Sequence, residues 1–182
     1  IDVITGLNAG NAILAALFHK EKTGKIMRID LSLWDCAIAA LINQAHNAMT
    51  SGTNPTPMGS AHPNLVPYLA FEANDGWFVI GVGSDNQWLT LVEALELDNQ
   101  VNWATNEGRV DAREAVESCV ANAVSKFNRS ELEKKLPGVP CAPVNTVLEA
   151  LADPQSVARQ AVTQYQGVDV LASPLRFMQL SK

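Results

Sequence analysis

The sequence predicts an α/β fold in which a helix–strand–helix unit is followed by a smaller α+β region. Residues 3–20 are apolar around most of a helical circumference, residues 26–33 largely alternate between apolar and polar side chains, and residues 34–50 are again apolar with helical spacing. A helix, a strand and a helix this close together are typical of an α/β unit. A stretch rich in proline and glycine then separates this unit from the rest of the chain.

The helix at 3–20 is expected to be internal. A helix that is apolar all round is normally buried. The residues that cover most of its circumference are Leu7, Ala12, Ile13, Leu14, Leu17 and Phe18. The chain offers few elements that could cover such a helix. Because it also starts at Ile1 without a methionine, we expect it to be a piece of a longer polypeptide.

The composition of the chain changes at three places, which predicts its domain boundaries. Residues 1–52 form the first unit, and residues 53–66 contain three prolines and a glycine, a composition that cannot sustain a helix or a central strand. We interpret 53–66 as a linker and 67–152 as a small α+β domain. Residues 153–182 are expected to be a return linker, followed by the start of a further segment of the first domain.

The small domain is predicted to begin with a β-hairpin. Two apolar runs, Tyr68–Glu72 and Trp77–Val82, flank a turn that contains Asp75-Gly76, which is a strong hairpin signal. Asp111 and Glu114 have the spacing of a capping box at the start of a helix. That helix is expected to carry an apolar stripe of Val116, Val120, Val124 and Phe127. The remaining predicted elements are helices at 87–97, 129–136, 146–152 and 155–161, an edge strand or extended stretch at 139–144 and a strand at 164–170. Asn145 or Thr146 is expected to cap the helix that ends at Ala152.

Charge and composition exclude several classes of protein. With 13 basic and 19 acidic residues and a pI near 5.0, the chain lacks the basic face of a nucleic-acid-binding protein. Its most apolar run, residues 12–18, is too short to span a membrane, and no secretory signal is visible. The three cysteines are far apart, which argues against a disulfide framework and favours a reducing cytoplasm.

Familiar metal and phosphate motifs are missing from the sequence. The three histidines, His19, His46 and His62, have no spacing that would place two of them beside a carboxylate, so no metal site is expected. There is no Walker loop, no GxGxxG and no GxSxG elbow. Gly81 and Gly83 follow a predicted strand, but this pair is more typical of a plain turn between a strand and a helix.

Asp2 is the carboxylate that the pattern singles out, because it comes directly before an apolar helix. Its simplest role is an N-cap that accepts backbone N–H bonds. A carboxylate at the positive end of a helix can also stay ionised and act as a nucleophile. The spacing of residues leaves both roles open.

Several longer stretches carry a resemblance to a known family. They are Asp2-xxx-Gly6-Leu7 with the apolar run that follows, residues 28–35 (RIDLSLWD), 61–68 (AHPNLVPY), 75–85, 104–110 (ATNEGRV) and 138–145 (GVPCAPVN). Together they resemble the class III CoA-transferases, which include formyl-CoA and carnitine-CoA transferases, nearly from end to end. One departure is Ile26-Met27, where the family usually has Gly-Gln after a turn.

The resemblance implies a fold and a reaction. Residues 1–52 would be the remnant of a Rossmann-like large domain that begins at the catalytic-aspartate helix, and the protein would be a homodimer of interlocked chains. Asp2 would be the nucleophile that exchanges CoA between an acyl-CoA and a carboxylic acid, through an aspartyl anhydride and an aspartyl-CoA thioester. CoA would be a substrate, with no permanently bound cofactor, and neither nucleic acid nor membrane would be a partner.

The resemblance also places a loop near the substrate. Gly59 and His62 lie on the segment that enters the small domain, which in the family closes over the active site, and Tyr68 follows it. Gly59 would allow backbone N–H groups to approach a reacting carbonyl. An ordinary linker glycine, an exposed histidine and a packed tyrosine are the alternatives.

Two other functions remain open at this point. A relative of the 2-methylacyl-CoA racemases would use the aspartate as an acid or base at the α-carbon. A non-catalytic fragment would only associate with partners, because most of the CoA site would lie outside these residues.

Overall fold

The structure is a computed structural model, and it describes residues 1–177 of the 182. The chain is a mixture of helices and small antiparallel sheets, and it divides into two compact units. The first unit is Ile1–Met58 and the second starts at Gly59.

The first unit consists of three helices. They are α1 (Asp2–Thr23), α2 (Leu33–Ala39) and α3 (Ile42–Ser51). Gly24 ends α1 in the left-handed conformation with φ of 71°, and Gly52 ends α3 in the same way, as expected for glycines that follow a helix. The Ser32 hydroxyl caps α2 by accepting a hydrogen bond from the Asp35 N–H at 3.0 Å.

The predicted helix–strand–helix pattern is wrong at the strand. Residues 26–32 are irregular, and no described residue pairs with them to form a ladder. An alternating sequence specifies which side chains share a face, but a strand also needs a neighbour for its backbone N–H and C=O groups. The predicted helix 34–50 is divided into α2 and α3, and Ile42 at the break has φ of 48°.

Helix α1 is not buried within the described chain, contrary to the expectation of an internal helix. Leu14 is 67% exposed and Phe18 is 66% exposed, and no α1 residue is classed as buried. Cys36 of α2 is the one buried residue of the first unit among those described. The apolar character of α1 therefore remains without a covering element in this part of the chain.

A three-stranded antiparallel sheet organises the second unit. Its strands are β1 (Tyr68–Ala73), β2 (Gly76–Gly81) and β3 (Cys141–Pro143), in the order β1-β2-β3. The predicted hairpin is confirmed, with Phe71 opposite Phe78, and the predicted edge strand is confirmed as β3.

Helices pack against this sheet and form the core with it. They are α4 (Asp85–Leu95), a 3-10 turn at Val101–Trp103, α5 (Asn106–Asp111), α6 (Arg113–Val124) and α7 (Arg129–Lys135). The predicted apolar stripe of α6 is confirmed, since Val116, Val120 and Val124 are fully buried. The core also contains Phe78, Ile80, Trp88, Leu91, Leu132 and Val139.

One predicted helix cap is wrong and another is confirmed. Asp111 is the last residue of α5, and α6 begins after Ala112 with no side-chain cap, so Asp111 and Glu114 do not form a capping box. Thr146 caps α8 (Val147–Ala152) in a complete capping box with Glu149.

The last described elements are short. Helix α9 (Pro154–Ala158) starts at a proline and is capped by Asp153, and a hairpin of β4 (Val162–Tyr165) and β5 (Val168–Leu171) follows it. The single strand predicted at 164–170 is therefore wrong. Gln166 and Gly167 have φ of 51° and 79°, which is a hairpin turn that the apolar pattern did not reveal.

Candidate active site

Asp2 lies in the first turn of α1, at the positive end of a 22-residue helix. The N-cap position is occupied by Ile1, so the expectation that Asp2 caps the helix is wrong. Its side chain is exposed, and none of the described residues forms a hydrogen bond or an ion pair with it. The carboxylate is thus free to meet a substrate atom.

Gly59, His62 and Tyr68 belong to the second unit, whereas Asp2 belongs to the first. Gly59 has φ of 61°, a conformation that favours glycine, and a Cβ added there would have no neighbour within 4 Å. Its backbone is therefore accessible in the described chain. This is expected both for a glycine that approaches a substrate and for an ordinary linker glycine.

His62 and Tyr68 are in direct contact. Their rings stack with centroids 5.3 Å apart and an angle of 20° between the planes. The backbone N–H of His62 donates to the backbone carbonyl of Tyr68 at 2.8 Å. The Asn64 N–H donates to Nδ1 of His62 at 3.1 Å. Both site candidates are consequently held in one local arrangement, with His62 half-buried and Tyr68 39% exposed.

Gly81 lies beside the ring of Tyr68, although the sequence indicates only a turn at this glycine. It pairs with Tyr68 across the hairpin, and a Cβ on Gly81 would lie 3.1 Å from Cζ of the tyrosine ring. The absence of a side chain at Gly81 lets the ring lie over the strand. The signal for this was available in the sequence, because pairing Glu72 with Trp77 at the two ends of the predicted turn sets Tyr68 opposite Gly81.

Side chains from α5 and α6 hold the segment 62–66, and sequence reasoning missed them. Arg113 donates through Nη2 to the carbonyls of His62 at 3.1 Å and Pro63 at 2.9 Å. Asn106 donates to the Asn64 carbonyl at 2.9 Å and accepts from the Val66 N–H at 3.2 Å. The sequence spacing of Arg113 and Asn106 does not predict contacts with residues that lie some forty to fifty positions away.

The described part of the chain contains no group of three or more His, Cys, Asp or Glu side chains arranged to hold a metal ion. Within the same residues, no helix has the length and apolar character that crossing a membrane requires.

Comparison with known proteins connects this geometry to an enzyme family. Residues 1–181 match the model of CoA-transferase family III. The chain is 35% identical over 163 residues to a succinate–glutarate CoA-transferase from Agrobacterium fabrum, covering 87% of this chain and 41% of that protein. It is 30% identical to a succinyl-CoA:mesaconate CoA-transferase from Haloarcula hispanica, covering 96% of this chain and 46% of that one. The chain thus spans less than half of the length of these relatives.

Solved structures show the same relationship. The crystal structure of a CAIB/BAIF family protein from Brucella suis is 40% identical, with a TM-score of 0.73 over 96% of this chain and 47% of that one. The Mycobacterium tuberculosis protein Rv3272 is 19% identical and shares the fold, with a TM-score of 0.82 over 97% of this chain and 47% of its own. The family match over nearly every residue, with relatives of 30% identity or more, shows that the chain belongs to CoA-transferase family III.

Proposed function

We propose that this chain is part of an enzyme that moves CoA between an acyl-CoA and a carboxylic acid, with Asp2 as the nucleophile. The family match across residues 1–181, which include Asp2, is the observation that carries the proposal. The exposed carboxylate in the first turn of α1 supports it, because the positive end of a helix favours the ionised form that nucleophilic attack needs.

The proposed reaction has four steps that balance without a net proton transfer. A carboxylate oxygen of Asp2 attacks the thioester carbonyl, the C–S bond breaks, and a mixed anhydride and CoA thiolate form. The thiolate attacks the Asp2 carbonyl carbon, which releases the first acid as a carboxylate and leaves an Asp2–CoA thioester. An incoming carboxylate attacks the carbonyl of this thioester, which expels CoA thiolate and forms a second mixed anhydride. The thiolate then attacks the acyl carbonyl of that anhydride, which forms the new acyl-CoA and releases the Asp2 carboxylate.

We further propose that the exchanged acids are dicarboxylates. The relatives from Agrobacterium fabrum and Haloarcula hispanica are named for succinate, glutarate and mesaconate, and a relative from Acetobacter aceti that is 29% identical is named for oxalate. All of these acids carry two carboxyl groups. Monocarboxylates of the same length are therefore the informative controls.

The segment from Gly59 to Tyr68 is proposed to line the reacting acyl group. Its support is the accessible backbone of Gly59 and the fixed stack of His62 on Tyr68. Backbone N–H groups near Gly59 would stabilise the oxyanion that forms when the thioester carbonyl is attacked.

The proposal includes the arrangement of the whole protein. Residues 1–52 would belong to a Rossmann-like large domain, 53–66 to a linker, 67–152 to the small domain and 153–182 to a return linker, within a homodimer of interlocked chains. The free state of the three cysteines supports a reducing cytoplasmic location. Light scattering on the full polypeptide that contains this chain tests the dimer, which a monomeric mass would exclude.

Asp2→Asn in the full polypeptide tests the nucleophile. We expect transfer of CoA from succinyl-CoA to glutarate to fall by several orders of magnitude, because asparagine cannot form the anhydride. Stability should change by less than about 1 kcal/mol, since an exposed negative charge in the first turn of a helix contributes no more than that. Hydroxylamine or borohydride should trap a CoA thioester in the unmodified enzyme and not in the variant.

The matched control is Asp35→Asn, which changes the same kind of side chain in the first turn of another helix, α2. It should leave CoA transfer close to normal. Near-normal transfer by Asp2→Asn, without deamidation to aspartate by mass spectrometry, would remove Asp2 from the mechanism. Exchange of the α-proton of a 2-methylacyl-CoA without transfer would favour the racemase alternative, and the absence of both activities would favour a non-catalytic role.

A further inference from the structure

The segment 62–66 is fixed to the helical side of the second unit mainly through its own carbonyl groups. Besides the contacts of Arg113 and Asn106, Nε of Arg109 donates to the Val66 carbonyl at 2.7 Å. A loop whose carbonyls accept bonds from side chains of a packed helix has less freedom than one that faces water. The conformation of this segment therefore depends on α5 and α6.

Arg113 is the member of this set that acts on His62 directly. Its Nη2 bridges the carbonyls of His62 and Pro63, and its Nη1 donates to Oε1 of Glu117, one helical turn further along, at 2.9 Å. The Arg113 side chain is 19% exposed, and that of Glu117 is 20% exposed. The planar guanidinium is thus held between a carboxylate and two carbonyls, a geometry that a lysine ammonium cannot reproduce.

A hydrogen bond from the backbone of Asn64 determines which ring nitrogen of His62 carries the proton. Since the Asn64 N–H donates to Nδ1, the neutral imidazole carries its hydrogen on Nε2. Within the described residues no acceptor is bonded to Nε2, so this N–H is an available donor. Its direction is set by the stack on Tyr68 and by the backbone position that Arg113 fixes.

We propose that Arg113 is a positioning residue for acyl transfer, which holds the backbone of His62 so that Nε2–H points to the acyl or carboxylate oxygen of the substrate. This inference rests on the proposed function, since it assumes that the segment 59–68 lines the reacting group. Arg113 itself touches no reacting atom and acts through His62.

Arg109 has a different role, although it contacts the same segment. Its side chain is fully buried, its three nitrogens are all bonded, and its guanidinium lies 5.3 Å from the centre of the Trp88 ring. Replacing it would disturb the core. Arg113 lies at the edge of the core, so its effect on catalysis can be separated from folding.

The experiment compares Arg113→Gln with Arg129→Gln in the full polypeptide. Arg129 is a matched control, because its side chain is 21% exposed, donates to the Val144 carbonyl and forms an ion pair with Glu149. Among the described residues it forms no hydrogen bond or ion pair with the segment 62–66. We expect Arg113→Gln to lower kcat by about 10- to 100-fold, as a misplaced catalytic contact does, with KM for the acyl-CoA nearly unchanged. Arg129→Gln should leave kcat close to normal at a similar loss of thermal stability.

A double-mutant cycle tests the route through His62. In a His62→Ala background, Arg113→Gln should lower kcat far less than it does alone, because both substitutions remove the same interaction. Arg113→Lys should retain more activity than Arg113→Gln, since an ammonium can still donate to one carbonyl. Hydrogen exchange should also accelerate at residues 62–66 in Arg113→Gln and not in Arg129→Gln.

The possible failures are distinguishable. Normal transfer by the wild type with equal effects of Arg113→Gln and Arg129→Gln, or additive effects in the cycle, would overturn this inference and leave the proposed function intact. A wild-type protein that transfers no CoA to any dicarboxylate would overturn the proposed function and the positioning role together.

Discussion

The guanidinium of Arg109 donates through Nη2 to Oδ1 of Asp85 at 2.9 Å, and the two side chains differ sharply in their exposure to water. Arg109 is completely buried, whereas the Asp85 side chain is 52% exposed. Two further donors of Arg109 reach the carbonyls of Val66 and Trp103 at 2.7 and 2.9 Å. This arginine therefore connects α4, the 3-10 turn and the segment before β1 through one side chain.

Unequal exposure predicts unequal losses of stability. Arg109→Met leaves two buried carbonyls without donors, so we expect a loss of about 3 kcal/mol or more in the free energy of unfolding. Asp85→Asn should cost about 1 kcal/mol, because water can reach the half-exposed position. Urea unfolding of both variants measures the difference, and equal losses would contradict this account.

Gly108 is predicted to be intolerant of a side chain. A Cβ at this position would collide with the Asn102 carbonyl oxygen and lie 3.0 Å from the carbonyl carbon. We expect Gly108→Ala to lower the free energy of unfolding by about 1–3 kcal/mol through overpacking. Gly83→Ala is the control, since its nearest neighbour would be Oε1 of Gln87 at 3.5 Å, an ordinary contact, and its effect should stay within about 0.5 kcal/mol.

Glu149 is predicted to make stability depend on pH. The backbone N–H of Thr146 donates to its carboxylate at 2.7 Å, and this bond, with the Thr146 side chain and Arg129, lowers the pKa of Glu149 below its ordinary value of 4.5. Because the pKa of Glu149 is lower in the folded state, its ionisation stabilises the fold at pH values above the ordinary pKa. This contribution is lost as the pH falls through the folded-state pKa.

The substitution Glu149→Gln isolates this effect, because glutamine keeps an acceptor for the Thr146 N–H but does not titrate. The wild type should be the more stable protein at neutral pH, and the difference in melting temperature should disappear in acid. A difference that stays constant as the pH falls would show that the charge of Glu149 contributes nothing.

Cys141 is predicted to react slowly with alkylating reagents at neutral pH. Its burial, and then the negative charge of Glu133, raise the pKa of its thiol above the ordinary value of 9.0, so less thiolate is present. Glu133→Gln should increase the rate of iodoacetamide labelling at Cys141, measured by mass spectrometry across a pH series. Labelling of Cys119 is the internal control and should not change.

The sequence predicted the small domain better than the first unit, for a physical reason. The hairpin of β1 and β2, the stripe of α6 and the Thr146 cap depend on neighbours within a few positions, and all three are confirmed. Residues 26–32 show the limit, because an alternating pattern cannot supply the second strand that a ladder requires. Local signals specify local structure, and pairing depends on what else is present.

The candidate site shows the same division. The position of Asp2 before an apolar helix singled it out as a candidate, and the resemblance added His62 and Tyr68. The stack of His62 on Tyr68 is visible only in three dimensions. Arg113 reaches His62 from a helix distant in sequence, and no spacing rule connects the two. The Gly81 contact with the Tyr68 ring could have been derived, since hairpin register follows from the turn.

The order of the sheet has a consequence for how the second unit folds. Strands β1 and β2 can meet as soon as their turn closes, but Ile80 must wait for Cys141, and everything from Val82 to Pro140 lies between them. Closing so long an intervening stretch is entropically costly before the helices within it have packed. The third strand should therefore join the sheet late, after the helices have packed. In refolding, the amides of the hairpin should be protected from exchange earlier than those of β3.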